Sequence, residues 1–378
     1  MSNQDQSALN APREQLDRID AAILDLLAER KQVVEEVIAR KVAAQLPVYV
    51  AGREQEKTER FREQAEQRGL DPDWAEDFLR MIMSASRNSQ SQDRFPCATE
   101  QPKRVLMVGG EGRMARLYGR FLEQSGHEVR VLDQHNWYAL SDLVQGVELA
   151  IVSVPIHATE AVIQRLAPKL PADCVLADFT SNKGKPVQAM LAAHAGPVLG
   201  FHPMHGPDVA NLSRQLMVVS PGRDAERGQW FCRQCELWGM RLIEADPGRH
   251  DHVMNLVQGL RHFVALLHGS FMRSYDLRPR DMLEFSSPIY RAELMMTGRI
   301  FSQSAELYAD IVFANAERRE LLLAFFQHHG QLAKMVEGND REGFIREFEA
   351  VTDFFGDFAS QALEESGYLI NRLADRFS

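Results

Sequence analysis

The hydrophobic period of this chain changes twice along its length, and that change limits its fold more than any single motif. Up to about residue 90, Leu16, Ile19, Ile23, Leu26, Leu27, Val33, Val34, Val37 and Ile38 recur at three- and four-residue steps, the stripe of an amphipathic helix. From about Pro102 the short apolar runs KRVLMVGG, HEVRVLD, ELAIVSVP, CVLADFT, PVLGFHP, QLMVVSP and RLIEA alternate with helical stretches, the pattern of a mostly parallel, doubly wound sheet. After Gly248 the strands vanish and helical periodicity runs to the C-terminus. A chain of 378 residues is long enough for several cores. The pattern predicts three domains: an all-α domain over 1–95, an α/β domain over 101–247 and an all-α domain over 248–378. The polar stretch NSQSQDRFPCATEQP, with two prolines, is the first linker.

Within the first segment, Pro12 suits a first helical turn behind an Asn10 cap, and nothing stops that helix before about Ala44. A second helix spans Arg53 to Arg68 and ends at Gly69, and Asp71-Pro72 opens a third that runs to about Ser89. Arg30 lies seven positions from both Ile23 and Val37, and Lys41 lies eleven beyond Arg30. At 100° per residue they share one face to within about 20°. Cations inside a packing stripe call for anions, although basic stems snorkelling at a coiled-coil edge give the same spacing. Arg13 is 28 positions before Lys41, about 42 Å along a straight helix, so the two cannot clasp one small ligand. If all three bind anions, Arg13 serves a site on a second chain.

The strand Val105–Val108 runs straight into Gly109-Gly110-Glu111-Gly112-Arg113-Met114-Ala115, a G-x-G-x-x-A turn that opens a helix. In that context Gly110 makes the turn, Gly112 admits a pyrophosphate to the helix N-terminus and Ala115 lets helix pack on strand, a Rossmann-like dinucleotide site. The next strand ends in Asp133, placed to bind ribose hydroxyls and to repel a 2'-phosphate, which favours NAD over NADP. His202, in GFHPMHGP, follows another strand, where an α/β sheet binds its ligands, and histidine is the side chain suited to take a proton from an alcohol near neutral pH. His205 competes with it, and spacing does not separate them. His157 and the Ser181-Asn182-Lys183-Gly184 run also lie at strand ends. The helical third part adds Arg261, His262, Arg291 and Arg299, the last interrupting the apolar run MMTGRIF as if it met a buried anion.

No metal set stands out. Cys232 and Cys235 have metal-like spacing without a second pair and read as packing residues. With 43 basic and 53 acidic residues the net charge is -10, which disfavours nucleic acid and anionic membranes and leaves anion binding to local arginines. Four cysteines and the polar start MSNQDQSALN point to a reducing, cytoplasmic setting, and no apolar run reaches the roughly 20 residues of a membrane span.

The order PREQLDRID, LLAERKQVVEEVIARK, REQE, VGGEGRMA, VSVPIH, GFHPMHGPD and SSPIYRAELMMTGRIF resembles the bifunctional chorismate mutase and prephenate dehydrogenase family of tyrosine biosynthesis over almost the whole chain. The resemblance implies that 1–95 is a helical mutase, 101–247 the NAD-binding domain of the dehydrogenase, and 248–378 its helical domain for dimerisation and substrate binding. Chorismate and prephenate are the implied substrates, NAD the cofactor, a homodimer the assembly and tyrosine a feedback inhibitor. In the mutase, the resemblance places chorismate's carboxylates on Arg30 and on Arg13 of the partner subunit, and its ether oxygen on Lys41 and Gln90. Arg53, Glu54 and Ser86 line that pocket, with Val50 at its edge. In the dehydrogenase it makes His202 the catalytic histidine and Arg299 the ring-carboxylate residue. It puts Ser181 near the nicotinamide, Lys183 in the same loop, Tyr308 in the matching LYADI segment, and His262 where the family senses tyrosine. Gly109, Gly110, Gly112, Met114, Asp133 and His157 fall to the cofactor, and no metal is implied. A β-hydroxyacid dehydrogenase would share the sheet and helical domain but leave Arg13, Arg30 and Lys41 without a task.

Overall fold

The computed structural model describes residues 3–47, 51–90, 94–275 and 277–377. They group into two compact units: Met1–Val154 with Ala158–Asp246, and Pro155–His157 with Pro247–Ser378. No helix among the described residues is long and apolar enough to cross a membrane.

The first unit opens with three helices, α1 (Asn3–Ala43), α2 (Ala51–Glu66) and α3 (Pro72–Gln90). Pro12 is not in the first turn of α1, as the sequence suggests, but inside it. An interior proline costs one backbone bond to the carbonyl four residues back, and the 41-residue helix carries that loss at a point where its neighbours are exposed. Between α2 and α3, Gly69 takes a left-handed φ of +70°, and the Asp71 carboxylate accepts the Asp73 N–H at 2.9 Å, capping α3. Ala65, Ala75, Leu79 and Met83 are buried between α2 and α3, whereas Leu16 (57% exposed) and Leu26 (64%) on the α1 stripe are open. That long helix therefore has an apolar face its own chain does not cover.

The seven strands that the alternation predicts all form: β1 (Arg104–Val108), β2 (Glu128–Leu132), β3 (Leu149–Val152), β4 (Val175–Asp178), β5 (Val198–Pro203), β6 (Leu216–Pro221) and β7 (Arg241–Glu244). They make one sheet in the order β2-β1-β3-β4-β5-β6-β7, parallel except for the antiparallel β5–β6 pair, in which His202 faces Val218. β3 and β4 are buried at every residue, as strands covered on both faces must be. One face packs against Tyr118, Phe121, Phe231 and Trp238, the other against Ile163, Leu166 and Met190. Cys232 and Cys235 sit in the first of these layers, where burial pushes the Cys232 thiol up to about 11 and keeps it protonated.

The second unit is helical. At its centre the backbone of Asn255–Leu260 widens into a π-helical turn, and the fully buried Arg318 side chain lies against it. Arg318 Nε donates to Asn255 Oδ1 at 3.0 Å, and its Nη1 donates to the Ile311 carbonyl. A Cβ on Gly259 would stand 2.4 Å from Arg318 Cδ. Because that stem has no free space to retreat into, Gly259→Ala is expected to destabilise the second unit by about 1–3 kcal/mol. Thermal unfolding followed by circular dichroism checks this, and an unshifted transition would show that the arginine can give way.

Candidate active sites

In the three-helix segment, α1 contributes Arg30 and Lys41, α2 contributes Arg53 and Glu54, and α3 contributes Ser86 and Arg87. Arg30 Nη1 donates to Ser86 Oγ at 2.7 Å, and Ser86 in turn donates to the Ile82 carbonyl at 2.9 Å, which fixes the serine as an acceptor for the arginine. Arg87 Nη1 donates to Glu54 Oε1 at 2.6 Å. Burial, and then the nearby Arg53, lower the pKa of Lys41, while Glu54 opposes them. Lys57 behaves in the same way under burial and the charge of Arg30, again with Glu54 opposing. Lys41 and Lys57 thus both feel the Glu54 carboxylate, with Arg53 near each of them and Arg30 near Lys57. Sequence reasoning missed Lys57, although it lies three positions after Glu54 and four after Arg53, on the same side of α2. Arg13 is exposed far up α1, as its spacing requires. The Gln90 side chain and Val50 lie outside the described residues.

In the sheet, the glycine turn divides its labour differently from the expectation. Gly109, not Gly110, takes the left-handed φ of +75°, and a Cβ there would meet the Ser153 carbonyl oxygen at 2.5 Å. Gly110 instead presses on Val131, because β2 runs directly beside the turn. Gly112 starts helix α4 (Arg113–Gln124) with no side chain capping its first N–H groups, and Met114 and the buried Ala115 follow in its first turn. Those open N–H groups and the tight glycine cradle fit a pyrophosphate. At the end of β2 the Asp133 carboxylate accepts N–H groups from Glu111 at 3.1 Å and Gln134 at 2.7 Å. Ligand atoms of Glu111, Asp133 and His135 lie within 4.8 Å of one another.

β5 carries His202 and β4 runs into Ser181, Asn182 and Lys183. His202 is buried, and Ser181 is half-buried at the carboxyl end of β4. The two histidines differ in their surroundings. His205 has one ring nitrogen 3.0 Å from the Tyr118 hydroxyl and the other 3.0 Å from the Gly206 carbonyl, and burial lowers its pKa, so it is a neutral packing group. Lys183 does not point outward from its loop. It is fully buried, ion-paired with Asp178, and donates to the Phe201 carbonyl at 2.8 Å, so its ammonium is held by the protein next to His202.

In the second unit the rings of His262 and Tyr308 meet edge to face at 4.9 Å. Burial raises the Tyr308 hydroxyl, and the charges of Arg261 and Arg299 pull it back down, which places both arginines beside it. Arg299 itself is exposed, because it shares the outer face of its helix with Met295 and Met296, while Leu294, Thr297 and Ile300 turn inward. His157 is also exposed and is bound to Asp310 through its ring, 2.7 Å, and its backbone N–H, 3.2 Å.

Comparison with known proteins assigns these parts. Residues 12–91 match the family described as chorismate mutase type II, 119–238 the nucleotide-binding domain of prephenate dehydrogenase, and 246–350 its dimerization domain. The T-protein of Enterobacter agglomerans is 41% identical over 97% of this chain and 98% of its own length. The chain belongs to the T-protein family. The T-protein of Haemophilus influenzae is 37% identical over the same shares of the two chains. Prephenate dehydrogenase from A. aeolicus in complex with hydroxyphenyl propionate and NAD+ shares the fold, with a TM-score of 0.55 at 19% identity over 67% of this chain and 97% of its own. As a T-protein, the chain carries both chorismate mutase and prephenate dehydrogenase activity, the first in its helical bundle and the second in the nucleotide-binding and helical parts.

Burial, reinforced by the positive charges of Arg261 and Arg318, depresses the His262 pKa from 6.5 to about 4. The folded protein therefore binds fewer protons than the unfolded chain between those values. The stability that neutral His262 contributes is present above about pH 6.5 and is lost as pH falls toward 4. An NMR titration of its ring nitrogens is expected to show a neutral imidazole down to about pH 5, whereas a midpoint near 6.5 would mean that neither burial nor the two arginines act on it.

Proposed function

We propose that Arg30 and Lys41, together with Arg13 of the partner subunit, hold chorismate, and that His202 is the proton-accepting residue in the oxidation of prephenate. The observation that supports the mutase assignment is that α1 and α3 are joined by the Arg30–Ser86 bond and α2 and α3 by the Arg87–Glu54 bond, with Lys41 half-buried beside Arg53 and Glu54. Chorismate rearranges without a covalent intermediate, so a protein accelerates it by holding the compact conformer and by stabilising negative charge on the breaking ether oxygen. Lys41 and Gln90 are assigned that oxygen by the family pattern. Arg30, held by Ser86, takes one carboxylate, and Arg53 and Glu54 orient the rest. The exposed apolar stripe of α1 supports a homodimer, since a second α1 would cover it and bring the other Arg13 to this pocket. The dimerization description of 246–350 supports the same assembly.

For the dehydrogenase we assign NAD rather than NADP. A 2'-phosphate would meet the carboxylates of both Asp133 and Glu111. Gly109, Gly110, Gly112 and Met114 would hold the pyrophosphate at the start of α4, Ser181 would face the nicotinamide, and His157 would line the cofactor side. When bound, NAD supplies the acceptor for the hydride. A ring nitrogen of His202 takes the proton from the ring hydroxyl of prephenate as the carbon bearing that hydroxyl gives up its hydride and the carbonyl forms. When carbon dioxide leaves and the ring becomes aromatic, the proton returns from His202 to that oxygen to give the phenol. The ammonium of Lys183 holds the backbone ahead of His202. In the second unit Arg299 is assigned the ring carboxylate, with Tyr308 beside it, and His262 the recognition of tyrosine as a feedback inhibitor.

Two single changes separate the activities. Lys41→Ala is expected to abolish chorismate consumption and leave NADH production from prephenate intact, and His202→Asn to do the reverse; equal loss of both in either variant would contradict separate sites. Asp133→Ser is expected to narrow the preference for NADH over NADPH at least about tenfold, by removing one repelling carboxylate. Titration of cofactor fluorescence measures this, and an unchanged ratio would remove Asp133 from cofactor choice.

A further inference from the structure

Glu54 is held from two sides. Arg87 of α3 donates to Oε1, and Arg214, from the hairpin between β5 and β6, donates to Oε2 at 2.6 Å. These residues belong to different parts of the sequence: Arg214 lies 160 positions from Glu54, on the sheet rather than the helical bundle. A cavity of about 380 Å³ lies at this junction, and Glu59 and Glu76 also line it, yet the bond goes to Glu54. The hairpin is built to present this arginine. Leu212 is fully buried, Ser213 N–H is held by Asn211 Oδ1 at 2.9 Å, and Arg214 N–H donates to the Gly239 carbonyl at 2.8 Å. Arg214 itself takes a left-handed φ of +66°, a costly conformation for a residue with a Cβ.

We infer that Arg214 is a positioning residue for the mutase pocket, by which the dehydrogenase sheet sets the orientation of Glu54. The inference rests on the reading that Glu54 lies in the chorismate site. A carboxylate has about four lone-pair positions, and two arginines bonded to different oxygens use one on each. The plane of the carboxylate is thereby fixed while the remaining positions stay open to a substrate hydroxyl. A glutamate held by Arg87 alone keeps one oxygen free to swing. The mutase segment is then catalytically incomplete without the sheet that follows it, although every group that touches chorismate within this chain belongs to the helices.

The test uses the full-length protein, with chorismate consumption and NADH formation from prephenate measured side by side for Arg214→Ala, Arg214→Lys, Arg214→Gln and Glu54→Gln. Because the pair is partly exposed, Arg214→Ala is expected to lower mutase kcat about threefold to tenfold with a smaller change in KM, and to leave prephenate oxidation unchanged. Arg214→Lys is expected to recover most of the loss, and Arg214→Gln little of it. Unchanged mutase kcat and KM in Arg214→Ala, or equal losses in the Lys and Gln variants, would overturn the inference. Should the alanine variant fail to fold, the Lys and Gln pair decides by the same criterion. Glu54→Gln separates the two claims: full mutase activity there would remove Glu54 from the pocket and overturn the underlying reading, whereas loss there with an intact Arg214→Ala overturns only the role of Arg214.

Discussion

A lysine ammonium with no exposed surface has to be neutralised by its own protein, and the sheet is arranged around that requirement at Lys183. Its partner Asp178 ends β4, and its other acceptor, the Phe201 carbonyl, lies in β5 one residue before His202. Burial alone pushes the Asp178 carboxyl up, and Lys183 and Thr180 oppose it by stabilising the charged form. Breaking such a pair leaves an uncompensated buried charge, at a cost of about 3–5 kcal/mol. The neighbouring sequence follows from it. Gly200 pairs with Asp178 across the two strands, and a Cβ there would reach 3.0 Å from Lys183 Cδ, so glycine leaves room for the lysine stem. Ser181 and His202 thus sit on two strand ends joined by one buried charge.

Much of this was legible in the sequence, because periodicity reports which face of an element is buried. All seven strands, the three leading helices and the helical C-terminal part could be read that way. The misreadings are local. Pro12 was expected to open α1, but proline only disfavours an interior position, and a long helix can absorb the lost bond. The glycine turn was right in kind, yet the left-handed residue is Gly109, since the contact of Gly110 with Val131 depends on how β2 lies beside it. Arg299 reads as meeting a buried anion within its apolar run, yet it lies on the exposed face of its helix, because an apolar run does not say which way the backbone turns each residue. Arg87 and Arg214 could not have been paired with Glu54 at all. No periodicity links them, and only the folded chain brings them together.

The same distinction resolves the electrostatics. A net charge of -10 describes the surface as a whole, while the cations that matter are gathered in the helical bundle and beside Tyr308. Burial first, and then the nearby cations, lower the pKa of Lys41 and Lys57, while Glu54 opposes them. Glu54 supplies one negative charge to these cations, and under the proposed assignment the two carboxylates of chorismate supply two more.

The single antiparallel step in the sheet has a mechanical result. In a wholly parallel sheet the chain leaving the ligand-facing end of β5 would have to cross over through a helix before returning. Reversal at β6 lets it return without one, through the twelve-residue loop 204–215, which is braced where the Arg214 N–H meets the Gly239 carbonyl. A loop braced in this way can bear on a neighbour like a strut, and both its ends are tied to the geometry of two paired strands.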